Sequence, residues 1–137
     1  MCQNHCTTAI QAPQTQLAIH LPDWINDLVD WHQPLHSDDE KMALAIELAK
    51  QNVLRGTGGP FASIIVHRES GALLSVGVNQ VVAQNNSTLH GEVMAIMLGE
   101  QRLQQFSLGS QIDEYELFTS CEPCAMCMGA ILWSGVK

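Results

Sequence analysis

The segment TSCEPCAMCMGA, residues 119–130, joins a short predicted strand to the last predicted helix. Pro123 suits the first position of that helix, because the N–H that proline lacks would have no partner there. Cys124 and Cys127 are three residues apart, which places both thiols on one side of the first helical turn. The helix dipole and the unpaired N–H groups favour thiolates there, and the thiolate is the form of cysteine that binds metal. The segment therefore predicts a strand, a turn and a helix that carries two metal ligands.

A second motif, His90-Gly91-Glu92, lies upstream at the predicted start of another helix. One imidazole and two thiolates form a three-ligand tetrahedral site whose fourth position stays open, as in catalytic zinc sites. Zinc lowers the pKa of a bound water from about 16 to about 7. We expect one Zn²⁺ per chain, held by His90, Cys124 and Cys127. We expect Glu92 to be catalytic, near enough to the reacting water to move its proton without binding the metal.

Each motif taken alone has an ordinary explanation. A Cys-x-x-Cys pair is also typical of redox sites and of half of a structural zinc site, and a lone His-x-Glu carries little information. In this order, however, H-x-E followed by P-C-x-x-C is the signature of zinc-dependent nucleobase deaminases. The expected reaction is hydrolytic loss of ammonia from an amidine-like ring carbon.

Around the two motifs, hydrophobic periodicity and turn residues predict a short first helix, followed by the order helix, strand, strand, helix, strand, helix. In the longest of these helices, Ser37 and Glu40 form a capping box, an apolar face runs through Met42, Ile46, Ala49 and Val53, and Gly56 is the stop. We expect a three-layer α/β/α sandwich with a mixed sheet. The predicted helices span residues 22–31, 37–56, 88–105 and 123–134, and the predicted strands span 62–67, 73–82 and 115–119.

Length and composition limit the function classes. The chain has 137 residues, of which 46% are hydrophobic, enough for one domain with one core. Residues 1–21 show no periodicity and predict a flexible lead-in, so the domain is expected over residues 22–137. No apolar run approaches the ~18 residues of a membrane span, and no signal peptide is visible. We therefore expect a cytoplasmic location, reduced cysteines and no membrane partner.

The net charge of −8, with only six lysines and arginines, argues against nucleic acid as a partner, because contacts to phosphates need clustered basic side chains. Among the other chemical side chains, Cys121 is expected to be a packed thiol and Glu122 a helix cap. Cys2, His5 and Cys6 could form a second metal site, or they could belong to an unstructured tail, and the sequence does not decide between the two. The other histidines have no companions at ligand spacing.

At these motifs the sequence resembles the cytidine deaminase-like superfamily, and within it the bacterial guanine deaminases. The resemblance covers roughly residues 38–137. Beyond the zinc motifs, it rests on the Gly58-Gly59-Pro60-Phe61 turn, on Gly77-Val78-Asn79, on the segment 119–130 and on Trp133. It implies an aminohydrolase that converts guanine to xanthine and ammonia, acts on a small purine base and assembles as a homodimer.

The resemblance also implies roles for three residues at the substrate. Asn79 would hydrogen-bond the purine ring, Phe61 would pack against the ring, and the backbone N–H of Gly91 would contact the base. Family members usually carry alanine at the position of Gly91, and their domain continues past the zinc helix with further strands and helices. We therefore expect a fold that lacks these C-terminal elements, either as a truncated form or with its sheet completed by another chain.

Other functions stay open at this point. Deamination of adenosine in tRNA, or of cytosine or cytidine, would use the same zinc chemistry. A non-catalytic zinc-binding scaffold, an inactive truncated relative, would bind metal without releasing ammonia.

Overall fold

The computed structural model describes residues 12, 14–109 and 114–137. Within them the elements follow the predicted order. The helices are α1 (Ile25–Leu28), α2 (Asp38–Leu54), α3 (Gly91–Leu103) and α4 (Ala125–Ser134), and the strands are β1 (Ala62–His67), β2 (Leu73–Val78) and β3 (Tyr115–Thr119). The bounds of β1 and β3 match the prediction.

The sheet of the described residues has the strand order β2-β1-β3, so β1 is central. Both of its pairings are antiparallel, unlike the mixed sheet that we expected. A parallel pattern occurs only next to β3, at Lys137. The Lys137 N–H donates to the carbonyl of Tyr115 at 2.9 Å, and the Leu117 N–H donates to the carbonyl of Lys137 at 2.8 Å.

Helices cover both faces of the sheet, which confirms the three-layer α/β/α architecture. Alternate residues of β1 point to opposite faces, so Ile64 and Val66 pack in one core while Ile65 packs in the other. The first core includes residues of α1 and α2, among them Ile25, Ala45 and Leu48. The second includes residues of α3 and α4, among them Ala95, Ile96 and Ile131.

Helix α2 begins as predicted, with a complete capping box. The Glu40 N–H donates to the Ser37 hydroxyl, and the Ser37 N–H donates to the Glu40 carboxylate. The predicted apolar face is wrong in part, because Ile46 and Val53 are 53% and 47% exposed. The buried face is rotated toward a stripe that includes two polar residues; its members are Lys41, Ala45, Leu48, Ala49 and Asn52.

Polar partners explain this rotation. The ammonium of Lys41 lies 3.2 Å from the Glu116 carboxylate and 5.0 Å from the centre of the Phe118 ring, so β3 compensates a buried charge. Asn52 is fully buried and donates to backbone carbonyls of two loops. Tertiary hydrogen bonds, rather than hydropathy, therefore decide which face of α2 is turned inward.

Apart from β1 and β3, the elements are shorter than predicted, and α1 has only four residues. Strand β2 ends at Val78, because the chain turns at Gln80, whose N–H donates to the Leu89 carbonyl. Helix α3 begins at Gly91 with His90 as its N-cap, and α4 begins at Ala125 with Cys124 as its N-cap, so Pro123 precedes the helix. Both metal-ligand motifs therefore lie at helix N-caps.

Part of the predicted lead-in is in contact with the domain. Leu21 packs against the first core, and the amide of Gln84 donates to the His20 carbonyl at 2.8 Å. The candidate second metal group, Cys2, His5 and Cys6, lies outside the described residues. Within the described part of the chain, no helix is both long enough and apolar enough to cross a membrane.

Candidate active site

The motif residues meet at one end of the sheet. There β1 begins while β2 and β3 end, since Ala62 pairs with Val78 and Ser63 pairs with Thr119. The Ala62 N–H donates to the Ser120 hydroxyl at 3.1 Å, which ties the start of β1 to the turn before α4. Helices α3 and α4 also begin at this end, so the site is built from the ends of five elements.

His90, Cys124 and Cys127 form a triangle of ligand atoms. His90 Nδ1 lies 3.6 Å from Cys124 Sγ and 3.5 Å from Cys127 Sγ, and the two sulfurs are 3.6 Å apart. Tetrahedral zinc with bonds of about 2.0 Å to nitrogen and 2.3 Å to sulfur implies edges of about 3.6 and 3.8 Å. The triangle has this size, so the three residues are positioned to bind one metal ion, and their donor set suits zinc.

The two thiols differ in their electrostatics. The backbone N–H of Cys127 lowers the pKa of the exposed Cys124 thiol, with a further contribution from the Cys127 side chain. Burial raises the pKa of the Cys127 thiol, and hydrogen bonding to Cys124 and the charge of Glu92 act in the same direction. Without metal, the pair therefore keeps a proton on Cys127. A bound cation reverses this preference, because a coordinating thiol is deprotonated.

Glu92 lies beside the triangle in the first turn of α3. Its side chain is only 6% exposed, and it interacts with the Cys127 thiol through a hydrogen bond. Glu92 is not one of the three residues whose ligand atoms converge, so its carboxylate is left for another role. A buried carboxylate next to a three-ligand metal site is placed to exchange protons with a molecule at the open position.

Close backbone packing holds the start of α3 against the sheet. A Cβ atom on Gly77 of β2 would overlap the Gly91 carbonyl oxygen, and it would lie 2.5 Å from the Ala95 nitrogen. A Cβ atom on Gly91 would lie 3.0 Å from the Ala62 Cα atom. An alanine at position 91 would therefore press on the β1 backbone.

Asn79 and Phe61 lie together at the same end of the sheet. The Asn79 N–H donates to the Phe61 carbonyl at 2.9 Å, and both side chains lie next to Gly59. Phe61 is 42% exposed, so its ring is available to a ligand. The structure thus brings His90, Glu92 and the two cysteines into contact, and it places Asn79 and Phe61 as a second group at the adjoining loops.

Sequence reasoning missed two buried amides behind this second group, those of Asn52 and Gln80. Asn52 is 0% exposed and Gln80 is 3% exposed. Both donate to the Asn79 carbonyl, at 2.9 and 3.0 Å. The available signal was weak, because an Asn in a helix and a Gln after a strand are ordinarily exposed residues. Cys121 and Glu122 are exposed and are not part of the triangle.

Two cavities of about 710 and 390 Å³ lie elsewhere. The larger lies along the outer side of α3, against Leu17 and Phe106, and the smaller lies between Trp31 and Arg102. Neither contains a motif residue. The candidate site is therefore identified by the chemistry of its side chains rather than by enclosed volume.

Known proteins are similar to this chain in sequence. A guanine deaminase from Bacillus subtilis (strain 168) is 43% identical over 93 residues, which are 68% of this chain and 56% of that protein. A tRNA-specific adenosine deaminase from Haemophilus influenzae is 31% identical over 100 residues, 73% of this chain and 54% of that protein. The chain thus spans about half the length of the curated relatives it matches.

Among solved structures, a guanine deaminase from Nitrosomonas europaea superposes with a TM-score of 0.84 at 34% identity, over 92% of this chain and 69% of that one. A structure in complex with 2,6-diaminopurine gives a TM-score of 0.81 at 36% identity, over 88% of this chain and 64% of that one. The model of the cytidine and deoxycytidylate deaminase zinc-binding region matches residues 35–137. This chain therefore belongs to the cytidine and deoxycytidylate deaminase zinc-binding family.

Proposed function

We propose that the protein catalyses hydrolytic deamination of a free purine base, converting guanine and water to xanthine and ammonia. The observation that carries this proposal is the triangle of His90, Cys124 and Cys127 with the buried carboxylate of Glu92 beside it. A three-ligand zinc site and an adjacent proton carrier are the two components that hydrolysis of an amidine carbon requires.

Within this mechanism zinc, when bound, supplies an activated water at neutral pH. Glu92 takes one proton from the attacking water on its carboxylate oxygen and gives it to the adjacent ring nitrogen. It then takes the second proton, from the new hydroxyl group, and gives it to the leaving amine as the carbonyl forms. The C–O bond forms at the carbon whose C–N bond breaks, and nitrogen leaves as ammonia. Because Glu92 is almost completely buried, bulk water competes poorly for the proton that it carries.

Substrate recognition is assigned to Asn79, Phe61 and Gly91. The Asn79 amide offers both a donor and an acceptor to the edge of a purine, the Phe61 ring offers a stacking surface, and the Gly91 N–H offers a further donor. The contact of Asn79 and Phe61 around Gly59 supports a shared role for these two side chains.

A small base suits this chain better than tRNA does. Half of its six lysine and arginine side chains are engaged in internal contacts: Lys41 is buried against Glu116, and Arg68 pairs with Glu114 and Glu116. Arg102 donates to carbonyls of β2. Nucleic-acid binding needs cations that are free to contact phosphates. The similarity to guanine deaminase, at 43% identity, also exceeds that to the tRNA-specific adenosine deaminase, at 31%.

The test is ammonia release from guanine, adenine, cytosine, cytidine and adenosine by zinc-loaded protein. We expect release from guanine and much slower release from the others. Turnover of cytidine without turnover of guanine would overturn the assignment of guanine as the substrate. Ammonia release from adenosine only when it is part of tRNA would favour the tRNA alternative. Stoichiometric zinc without ammonia from any substrate would identify a non-catalytic scaffold.

We further propose that the protein is a cytoplasmic homodimer. Helix α4 supports the dimer, because one side of it exposes a continuous apolar face, formed by Met126, Met128, Leu132 and Trp133. Trp133 is 90% exposed, an unusual state for a side chain of that size. A reducing compartment is supported by Cys121, Cys124 and Cys127, which are all free thiols.

A further inference from the structure

We propose that the buried amides of Asn52 and Gln80 are positioning residues, which hold Asn79 and the loop 56–61 in the orientation that receives the base. This inference rests on the proposed function, because the substrate roles of Asn79 and Phe61 are assigned there. Both amides would act through the backbone of the residues that meet the substrate.

Asn52 links the end of α2 to the two segments of the site. Its Nδ2 donates to the carbonyls of Gly59 and Asn79, at 2.9 Å each. Its Oδ1 accepts from the Thr57 hydroxyl at 2.8 Å, and its backbone carbonyl accepts from the N–H groups of Thr57 and Gly58 at 2.9 and 3.2 Å. One buried side chain therefore fixes the loop after α2 and the residue after β2 relative to each other.

Gln80 makes a second link between the same segments. Its Nε2 donates to the Thr57 carbonyl at 2.9 Å and to the Asn79 carbonyl at 3.0 Å. Its backbone N–H donates to the Leu89 carbonyl, which comes directly before the zinc ligand His90. Gln80 thus connects Thr57 and Asn79 to the start of α3.

Together the two amides leave Asn79 little freedom. The Asn79 carbonyl accepts from both amides, while its N–H donates to Phe61. Its side chain then lies next to Gly59, whose carbonyl is also held by Asn52. Gly58 has no room for a Cβ atom between Asn79 and Asn52. A donor lost here leaves buried carbonyls unpaired, and the loop must shift to reach water.

The orientation of a recognition amide matters more to binding than to the chemical step. A displaced Asn79 weakens the contact with the base, whereas zinc and Glu92 stay in place because α3 packs on β2 independently. We therefore expect a change concentrated in KM, with a smaller change in kcat. A residue needed only for folding would instead lower the active fraction and leave KM unchanged.

The experiment uses Asn52→Asp, which keeps the shape of the side chain and removes both donated bonds. Gln101→Glu, an amide-to-acid change at an exposed position of α3, is the matched control. We expect Asn52→Asp to raise KM for guanine about tenfold, to lower kcat less than threefold (both about the size of one lost buried hydrogen bond) and to keep one zinc per chain. Hydrogen exchange should become faster in residues 56–61 and 79–80, and it should not change in α3.

A second pair of variants covers the case in which Asn52→Asp does not fold. Thr57→Val removes the hydroxyl that donates to Asn52, and it should produce the same changes to a smaller degree. Thr57→Ser keeps the hydroxyl, so its KM should equal that of the wild type. Unchanged KM and unchanged local exchange in a folded, zinc-loaded variant would overturn the positioning role. If the wild type releases no ammonia from any purine, the proposed function fails. In that case the rate of hydrogen exchange in residues 56–61 and 79–80 alone decides whether the two amides hold these segments.

Discussion

Gly77 of β2 lies directly against Gly91 at the start of α3, with no space for a side chain between strand and helix. Gly91 stands between the zinc ligand His90 and the carboxylate of Glu92. The distance between β2 and α3 therefore fixes both chemical groups relative to the sheet. Gly77 is not itself a site residue, but its contact with Gly91 sets the positions of His90 and Glu92.

Gly77→Ala should displace the first turn of α3 and weaken zinc binding. Overpacking of this kind destabilises a protein by about 1–3 kcal/mol. Gly129→Ala in α4 is the control, because a Cβ atom there meets nothing within 4 Å and helix propensity favours alanine by about 0.5–1 kcal/mol. Thermal unfolding and zinc content measure both effects. A Gly77→Ala protein with wild-type stability and metal content would contradict the role given to this contact.

Glu92→Gln should lower kcat for guanine by about 10²–10⁴-fold, the usual contribution of a positioned general acid–base group. The amide keeps the size of the side chain but does not carry the proton, and zinc content should stay near one per chain. The measurement combines ammonia release with metal analysis of the same sample. Activity near that of wild type, with zinc retained, would exclude Glu92 as the proton carrier.

Removal of zinc by a chelator should lower the melting temperature, because the ligands come from two helices that meet only in the folded chain. A ligand at a thousand times its Kd stabilises the folded state by about 4 kcal/mol. Cys127→Ser should abolish this difference, whereas Cys121→Ser should keep it, since Cys121 is outside the triangle. Calorimetry with and without zinc compares the three proteins. An equal response in both variants would mean that the metal binds elsewhere.

The capping box of α2 should make stability depend on acid pH. Backbone N–H groups of Ser37 and His36 donate to the Glu40 carboxylate and lower its pKa below 4.5. Because the pKa is lower in the folded state, this stabilisation is present above about pH 4.5 and is lost as the pH falls through the folded-state pKa. Glu40→Gln should flatten this acid limb in denaturant titrations at pH 7 and pH 3. Glu69→Gln, in an exposed turn, should not.

Substitution on the apolar face of α4 should separate the proposed dimer. Trp133→Glu should convert a dimer to a monomer in sedimentation at micromolar concentration, because a charge is not tolerated in an apolar interface. Leu54→Glu is the matched control, since Leu54 is 68% exposed on α2, which packs on the opposite face of the sheet from α4. A dimer that survives Trp133→Glu, or that is lost equally in both variants, would place the interface elsewhere.

The zinc ligands could be predicted from sequence because their spacing alone brings them to helix N-termini. Cys124 and Cys127 lie in the first turn of α4, and His90 lies at the start of α3. The sequence therefore predicts each part of the site, and only the contact between the two helices depends on the tertiary fold. Strands β1 and β3 were predicted correctly for a similar reason, since their alternating or continuous apolar runs are bounded by turn residues.

The buried face of α2 could not be predicted in this way. Hydropathy favoured Ile46 and Val53, but the structure buries Lys41 and Asn52 and exposes the two apolar residues. The partners that make this burial favourable, Glu116 and the carbonyl of Asn79, lie far along the chain. Periodicity contains no information on such partners. The hydrogen bonds of Asn52 and Gln80 to the loop 56–61 and to Asn79 could therefore be identified only from the structure.

The metal triangle has a consequence for how the chain is held together. His90 and Cys124 are 34 positions apart, and the chain between them includes all of α3 and all of β3. A cation bound to both acts as a reversible cross-link that closes this loop, and because the ligands converge only in the folded chain, its binding free energy adds to the stability of the fold. Metal supply therefore becomes a control on the lifetime of the folded protein, separate from any chemistry that the metal performs.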